Sequence, residues 1–190
     1  MIRIALVGDI GSGKTFISKL FKLPVFNADK IVAKIYSKNR NVNLLLKKKL
    51  PNFFTRFPIK KKELINAIIS NDKNIKIISE IVHPKVNREL QKFIKKNNHK
   101  EAVVLDIPLY LEKKLNRKKD VIVFIQSSRK EISKRVKKRK NFNKLVLTKL
   151  KKLQLPLSYK KKKSHFVIKN NFKLNLARKS VKDILNRVLR

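Results

Sequence analysis

All three glycines of this 190-residue chain, Gly8, Gly11 and Gly13, fall within six consecutive positions of the stretch LVGDIGSGKTF, residues 6–16. Average usage of about 7% would place roughly 13 glycines in a chain of this length. A sequence that does without glycine elsewhere keeps it here because no other side chain serves. Gly8–Thr15 fits G-x-x-x-x-G-K-[ST], the phosphate-binding loop. Such a loop lets bare backbone N–H groups approach a polyphosphate, which Cβ atoms would block, and glycine reaches the positive φ angles that turn successive amides inward. Lys14 would lie between the β- and γ-phosphates, the Thr15 hydroxyl would ligate Mg²⁺, and the helix starting there would add its positive end. The competing reading is a plain glycine turn between a strand and a helix. The glycine economy of the rest of the chain argues against that.

The motif requires a strand before it and a helix after it. The run IRIALV, residues 2–7, is short, apolar and ends at a glycine, as a strand buried on both faces would. From Lys14 to Lys22 the apolar residues Phe16, Ile17, Leu20 and Phe21 recur at helical spacing. Further strands are expected at 24–29, 101–108, 120–125 and 165–170. Helices are expected over 30–50, as two segments over 61–99 with Pro84 marking a start or kink in the second, over 128–140, from there to about 163, and over 176–189. Alternating apolar strands and helices predict a five-stranded parallel sheet covered by helices, an α/β fold. The gap of about 70 residues between the second and third strands far exceeds one crossover helix and predicts an inserted helical subdomain.

Composition narrows the function classes. Cysteine is absent, which excludes disulfides and thiolate metal sites. No apolar run reaches the roughly 20 residues a membrane span needs, and MIRIALVGDI lacks a cleavage site, so a cytoplasmic location is expected. There are 51 Lys+Arg against 12 Asp+Glu, a net charge of +39. Nucleic-acid binding by counterion release is one reading. Compositional drift is the other and is preferred, because the lysines spread over nearly every segment after residue 34 and no aromatic stacking cluster accompanies them. On either reading the field attracts polyphosphate ligands.

Carboxylates are rare here, so those at strand ends stand out: ligand sites of open sheets lie at the carboxyl ends of strands. Asp29 closes VFNAD and suits either a general base for an acceptor hydroxyl or a helix N-cap. Asp106 ends the third strand and suits either Mg²⁺, held through a water, or capping. The absence of N-K-x-D leaves guanine specificity without support.

LVGDIGSGKT, PVFNADKI, IVHPKV, VVLDIPLYLE and a late Q-x-P…K…VIKN, in this order, resemble the dephospho-CoA kinase family from residue 2 to about 171. The resemblance implies a P-loop kinase core over about 1–34 and 100–190, a helical CoA-binding insert over about 35–99 and a lid over about 112–150. It implies transfer of the γ-phosphate of ATP to the ribose 3′-hydroxyl of dephospho-CoA, with Mg²⁺. Carried over, Asp29, Lys14 and Arg139 are catalytic: Asp29 as base, Arg139 as a lid arginine closing on the phosphates. Gly8, Gly11, Ser12, Gly13, Lys14, Thr15, Phe16 and Asn170 belong to the ATP site, Asn170 beside the adenine. His83 and Pro84 belong to the helical domain facing the acceptor, where Arg88 is a further substrate-binding candidate, and Thr15 holds the metal, which Asp106 joins on the first of its two readings above. Arg88 and Arg135 are further candidates for diphosphate contact. His83 also suits a structural hydrogen bond, and Arg139 a solvated face.

Three residues depart from the family pattern. Asp9 stands where glycine is usual and is tolerable only if it points outward. Asn27 replaces an aspartate whose charge would raise the pKa of Asp29. Phe16 removes a hydroxyl from the ATP site. The alternatives kept open are a P-loop kinase for another small hydroxyl or nucleoside, and a basic ATP-binding protein whose partner is nucleic acid. Nucleic acid and membrane are not expected as partners, and oligomeric state is not readable.

Overall fold

A computed structural model describes residues 1–138 and 142–189. The strands are β1 (Ile2–Gly8), β2 (Val25–Asn27), β3 (Ala102–Asp106), β4 (Val121–Gln126) and β5 (Phe166–Lys169). The helices are α1 (Lys14–Leu20), α2 (Ala28–Lys38), α3 (Arg40–Lys49), α4 (Lys61–Ser70), α5 (Asp72–Lys96), α6 (Arg129–Lys137), α7 (Lys144–Lys152), α8 (Leu157–Lys162) and α9 (Leu174–Val188). All strand pairs are parallel, in the order β2-β3-β1-β4-β5. The five expected strands and the α/β class are therefore present.

The chain divides into two compact units. One, the core unit, comprises Met1–Asn27, Lys96–Phe142 and Leu153–Arg190; the other, the helical unit, comprises Ala28–Lys95 and Asn143–Lys152. In the core unit, side chains of one parity along the strands, Ile4 and Leu6, Ala102 and Val104, Val123 and Ile125, and Ile168, pack with Ile17 and Phe21 of α1 and Ala177, Val181 and Ile184 of α9. The opposite parity, including Ala5, Val7, Val103 and Leu105, is buried as well. That is why the strands read as continuous apolar runs rather than alternating ones. In the helical unit, Ile35, Val42, Leu46, Phe54, Ala67, Ile78 and Val82 form a separate core.

Three boundaries differ from the sequence expectation. Strand β2 stops at Asn27 because its partner β3 ends opposite it, with Asn27 paired to Asp106. Asp29 consequently lies in the first turn of α2 rather than at a strand end. The helix expected over 30–50 breaks at Asn39, whose side chain accepts the Val42 N–H at 3.0 Å and starts a new helix. Helix α5 continues through Pro84, although proline cannot donate to the preceding turn.

The PLYLE segment after β3 proves structural. Tyr110 and Asp120 close on the buried Arg3 guanidinium, with Arg3 Nη2 at 2.9 Å from Asp120 Oδ2 and 2.6 Å from the Tyr110 hydroxyl. Burial, and then the hydrogen bond it donates to Asp120, push the Tyr110 hydroxyl above its ordinary range. Glu112 meets Lys160 Nζ at 2.5 Å and accepts the Leu155 N–H at 3.1 Å, so this one carboxylate ties the segment entering α8 to the turn after β3. The Lys160 side chain is 1% exposed and that of Glu112 7%. Removing one partner of a buried pair strands the other charge, at a cost of about 3–5 kcal/mol. Lys160→Met is therefore expected to lower unfolding stability by that amount in a denaturant titration, and Lys160→Met combined with Glu112→Gln, which keeps an acceptor for the Leu155 N–H, to recover part of it.

Candidate active site

The glycine loop connects β1 to α1. All three glycines have positive φ. At Gly8 (φ +146°) a Cβ would lie 2.6 Å from the Ile125 carbonyl oxygen, a backbone atom that cannot give way. At Gly13 (φ +93°), which caps α1, it would run into the Asn170 side-chain amide. The glycines thus serve two needs at once: backbone angles that other residues avoid, and close contact between the loop and the ends of β4 and β5.

Lys14 folds back onto the loop. Its Nζ donates to the Asp9 carbonyl at 2.8 Å and to the Gly8 carbonyl at 3.2 Å. A cation anchored on two carbonyls of the loop is of the kind that can pair with the phosphates of a nucleotide. Beside it, the Thr15 hydroxyl donates to Asp106 Oδ2 at 2.6 Å, and Asn27 Nδ2 donates to the same oxygen at 2.6 Å. Asp106 is buried at the end of β3. A hydroxyl and a carboxylate on adjacent elements form an all-oxygen donor pair that suits a hard divalent cation retaining several waters. Sequence reasoning treated Asn27 only as a missing charge. The pairing register sets it opposite Asp106, where it is a second donor to the oxygen that Thr15 meets.

The loop is braced from below. Asn170, buried at the end of β5, donates through Nδ2 to the Ser12 carbonyl at 2.8 Å and accepts the Phe172 N–H at 3.0 Å. The Ser127 hydroxyl lies 2.8 Å from that same Ser12 carbonyl and 2.9 Å from the Asn170 carbonyl. Ser127 was not foreseen, because nothing local in the sequence marks a serine between a strand and a helix as a loop brace. Phe16 turns toward Phe172, with ring centroids 6.3 Å apart, and the Arg135 guanidinium stacks 3.9 Å from the Phe172 ring centroid. Phe172 holds a left-handed φ of 63°. An aromatic face and a planar cation therefore stand next to Gly13.

Asp9 is half-buried, and its Oδ1 accepts the Ile10 N–H at 2.6 Å. The carboxylate thus bends back onto the loop rather than standing clear of it, placing a negative charge on the segment that the motif assigns to phosphates. Asp9→Asn keeps an acceptor and removes the charge. A unit charge at about 4 Å in water is worth about 1 kcal/mol, so this variant is expected to bind ATP about fivefold tighter in calorimetry.

Of the remaining sequence candidates, Asp29, His83, Pro84 and Arg88 belong to the helical unit and are exposed. Gly8 through Phe16, Asp106 and Asn170 are gathered in the core unit. Arg139 lies outside the described residues.

A parallel sheet ordered β2-β3-β1-β4-β5, with a glycine loop after the central strand and a carboxylate at the end of its neighbour, defines a P-loop kinase. The fold is shared with a crystal structure from Thermus thermophilus (TM-score 0.79, 24% identity, 98% of this chain and 97% of that one). It is also shared with dephospho-CoA kinase from Campylobacter jejuni (TM-score 0.63, 22% identity, 98% and 96%) and with shikimate kinase from Acinetobacter baumannii (TM-score 0.53, 15% identity, 100% and 93%). The sequence model of dephospho-CoA kinase matches residues 2–175, and the chain belongs to that family. Among its relatives, the dephospho-CoA kinase of the Wolbachia of Brugia malayi is 32% identical over 188 residues, 96% of each chain, and that of Wolbachia pipientis wMel 31% over the same span and coverage.

No helix among the described residues is long and apolar enough to cross a membrane.

Proposed function

We propose that this chain phosphorylates the ribose 3′-hydroxyl of dephospho-CoA with ATP, giving coenzyme A and ADP. The observation that carries the reading is the Thr15–Asp106–Asn27 cluster set into a glycine loop that also holds Lys14. The acceptor is inferred from membership of the family. In the transfer, a bond forms between the 3′-oxygen and the γ-phosphorus, the bond from that phosphorus to the β–γ bridging oxygen breaks, and the hydroxyl proton passes to Asp29. Asp29 suits the task because it is an exposed carboxylate in the first turn of α2, two residues past the end of β2. Lys14 and Arg139 would neutralise charge on the transferring group. Thr15 and Asp106 would hold Mg²⁺, which supplies further neutralisation of the phosphates when bound. His83, Pro84 and Arg88 of α5 would receive the acceptor. The insert proposed over about 35–99 would correspond to Ala28–Lys95 of the helical unit, and the lid proposed over about 112–150 would overlap the Asn143–Lys152 segment of that same unit.

The test is direct. The protein is incubated with MgATP and dephospho-CoA, and the products are read by mass spectrometry. The expected product is heavier than dephospho-CoA by one phosphoryl group and matches coenzyme A. Phosphorylation of shikimate or nucleosides, with dephospho-CoA left unchanged, would replace the acceptor assignment and keep the kinase.

A further inference from the structure

Among the described residues, the peptide unit between Ser12 and Gly13 is hydrogen-bonded at one end alone. It is trans, so its carbonyl and its N–H lie in one plane and point in opposite directions. The Ser12 carbonyl meets two donors from other elements: Asn170 Nδ2 at 2.8 Å, one residue past β5, and the Ser127 hydroxyl at 2.8 Å, one residue past β4. The Gly13 N–H donates to no group among the described residues. Asn170 is itself fixed, since its N–H donates to the Gln126 carbonyl at 2.7 Å and its Oδ1 accepts the Phe172 N–H at 3.0 Å. Its approach depends on glycine, because a Cβ at position 13 would lie 2.3 Å from Asn170 Nδ2. Holding the carbonyl holds the plane, and the plane sets where the N–H points: away from Ser127 and Asn170. A hydroxyl has one hydrogen. The Ser127 oxygen also lies 2.9 Å from the Asn170 carbonyl, so that hydrogen has two acceptors to choose from. A phosphate oxygen accepting from the Gly13 N–H would polarise the peptide and make the Ser12 carbonyl the better of the two. All four residues belong to the core unit.

We propose that Ser127 is a positioning residue for phosphoryl transfer. Together with Asn170 it sets the Ser12–Gly13 peptide plane, so that the Gly13 N–H stands ready for a phosphate oxygen of the nucleotide. The Ser127 hydrogen moves onto the Ser12 carbonyl as that oxygen arrives. Ser127 acts through the peptide and not by contact with the nucleotide. Amides aimed in advance stabilise the charge that develops during transfer, because they need no reorientation at the moment of reaction. Asn170 follows from the same geometry: it serves the phosphates through the peptide, whatever base the nucleotide carries. The inference rests on the reading of the loop as a nucleotide site and is independent of the acceptor.

The sequence makes this peptide directly observable. Of the three glycines only Gly13 follows a serine. The full chain labelled with carbonyl-¹³C serine and ¹⁵N glycine therefore gives a single carbonyl–amide correlation by NMR, that of Ser12–Gly13. Inorganic tripolyphosphate and a non-hydrolysable ATP analogue, each with Mg²⁺, are titrated in at about 0.15 M salt, where distant charges are screened. Both are expected to move the Gly13 amide proton downfield and the Ser12 carbonyl carbon with it. Ser127→Ala should weaken both ligands about fivefold, the range of one hydrogen bond, and shrink both shifts. Ser127→Thr, which restores the hydroxyl, should return affinity and shifts to within about twofold of wild type. Ser128→Ala removes the neighbouring hydroxyl, which caps α6, and controls for lost stability; affinity and shifts should not change. Asn170→Asp keeps the acceptor for the Phe172 N–H and loses the donor to Ser12. It should weaken tripolyphosphate and the ATP analogue by the same factor, about tenfold, whereas a contact with the base would weaken the analogue alone. Should Asn170→Asp fail to fold, the Ser127 variants carry the test. The inference is overturned if Ser127→Ala binds as wild type, if it binds weakly with the Ser12–Gly13 shifts intact, or if Asn170→Asp weakens the analogue alone. Binding that leaves the Ser12–Gly13 signal unmoved also overturns it, and the nucleotide site stands. Binding of neither ligand by the unmodified chain overturns both.

Discussion

Lys14→Ala is expected to lower kcat/KM by about a thousandfold in a coupled assay of ADP release. The ammonium sits 2.8 Å from the Asp9 carbonyl and 3.2 Å from the Gly8 carbonyl, on the loop itself. From there it can exchange those carbonyls for phosphate oxygens without moving far. Charge accumulates on the γ-phosphoryl group and the leaving oxygen as transfer proceeds, and a preplaced cation lowers that barrier more than it aids binding. Removal of one such donor costs roughly 3–4 kcal/mol. The loss should therefore fall mainly on kcat, with a smaller rise in KM for ATP. Lys14→Arg would not rescue the rate, because a planar fork cannot replace a compact ammonium in this space. A kcat within threefold of wild type would remove Lys14 from the catalytic set.

Asp29→Asn is expected to lower kcat by about 10²–10⁴, the usual contribution of a positioned base, while ATP binds within twofold of wild type. The substitution keeps size and polarity and removes only the capacity to take a proton. Asp29 is exposed in the first turn of α2. An acid there also favours the helix N-terminus, so a thermal melt accompanies the kinetics. A purely capping role predicts lower stability with kcat intact. A base predicts the reverse, and single-turnover measurement separates them.

The architecture was legible to the extent that it is local. Strand β1 and helix α1 follow from periodicity, and the loop between them from three glycines in a chain that has no others. Helix α3 was hidden within one long helical stretch because a single asparagine, Asn39, carries the break through its own side-chain cap. The bracing of the loop was not legible at all. Ser127 and Asn170 meet at the Ser12 carbonyl only because β4 and β5 end side by side. PLYLE reads as a family motif, yet its tyrosine and glutamate serve Arg3 and Lys160, residues far away along the chain.

What the amino-acid order determined alone is the loop's chemistry. Steric exclusion at Cβ and the rare φ angles are properties of single residues, so glycine, lysine and threonine at these spacings announce a phosphate site before any folding is considered. Tertiary structure decided how the Thr15 and Asp106 oxygens are aimed at one another, and where Asn27 meets them. Those depend on register and helix placement: Asn27 reaches Asp106 only when β2 pairs with β3 at that step. Pairings between distant segments come from packing the whole chain, and no window of neighbouring residues encodes them.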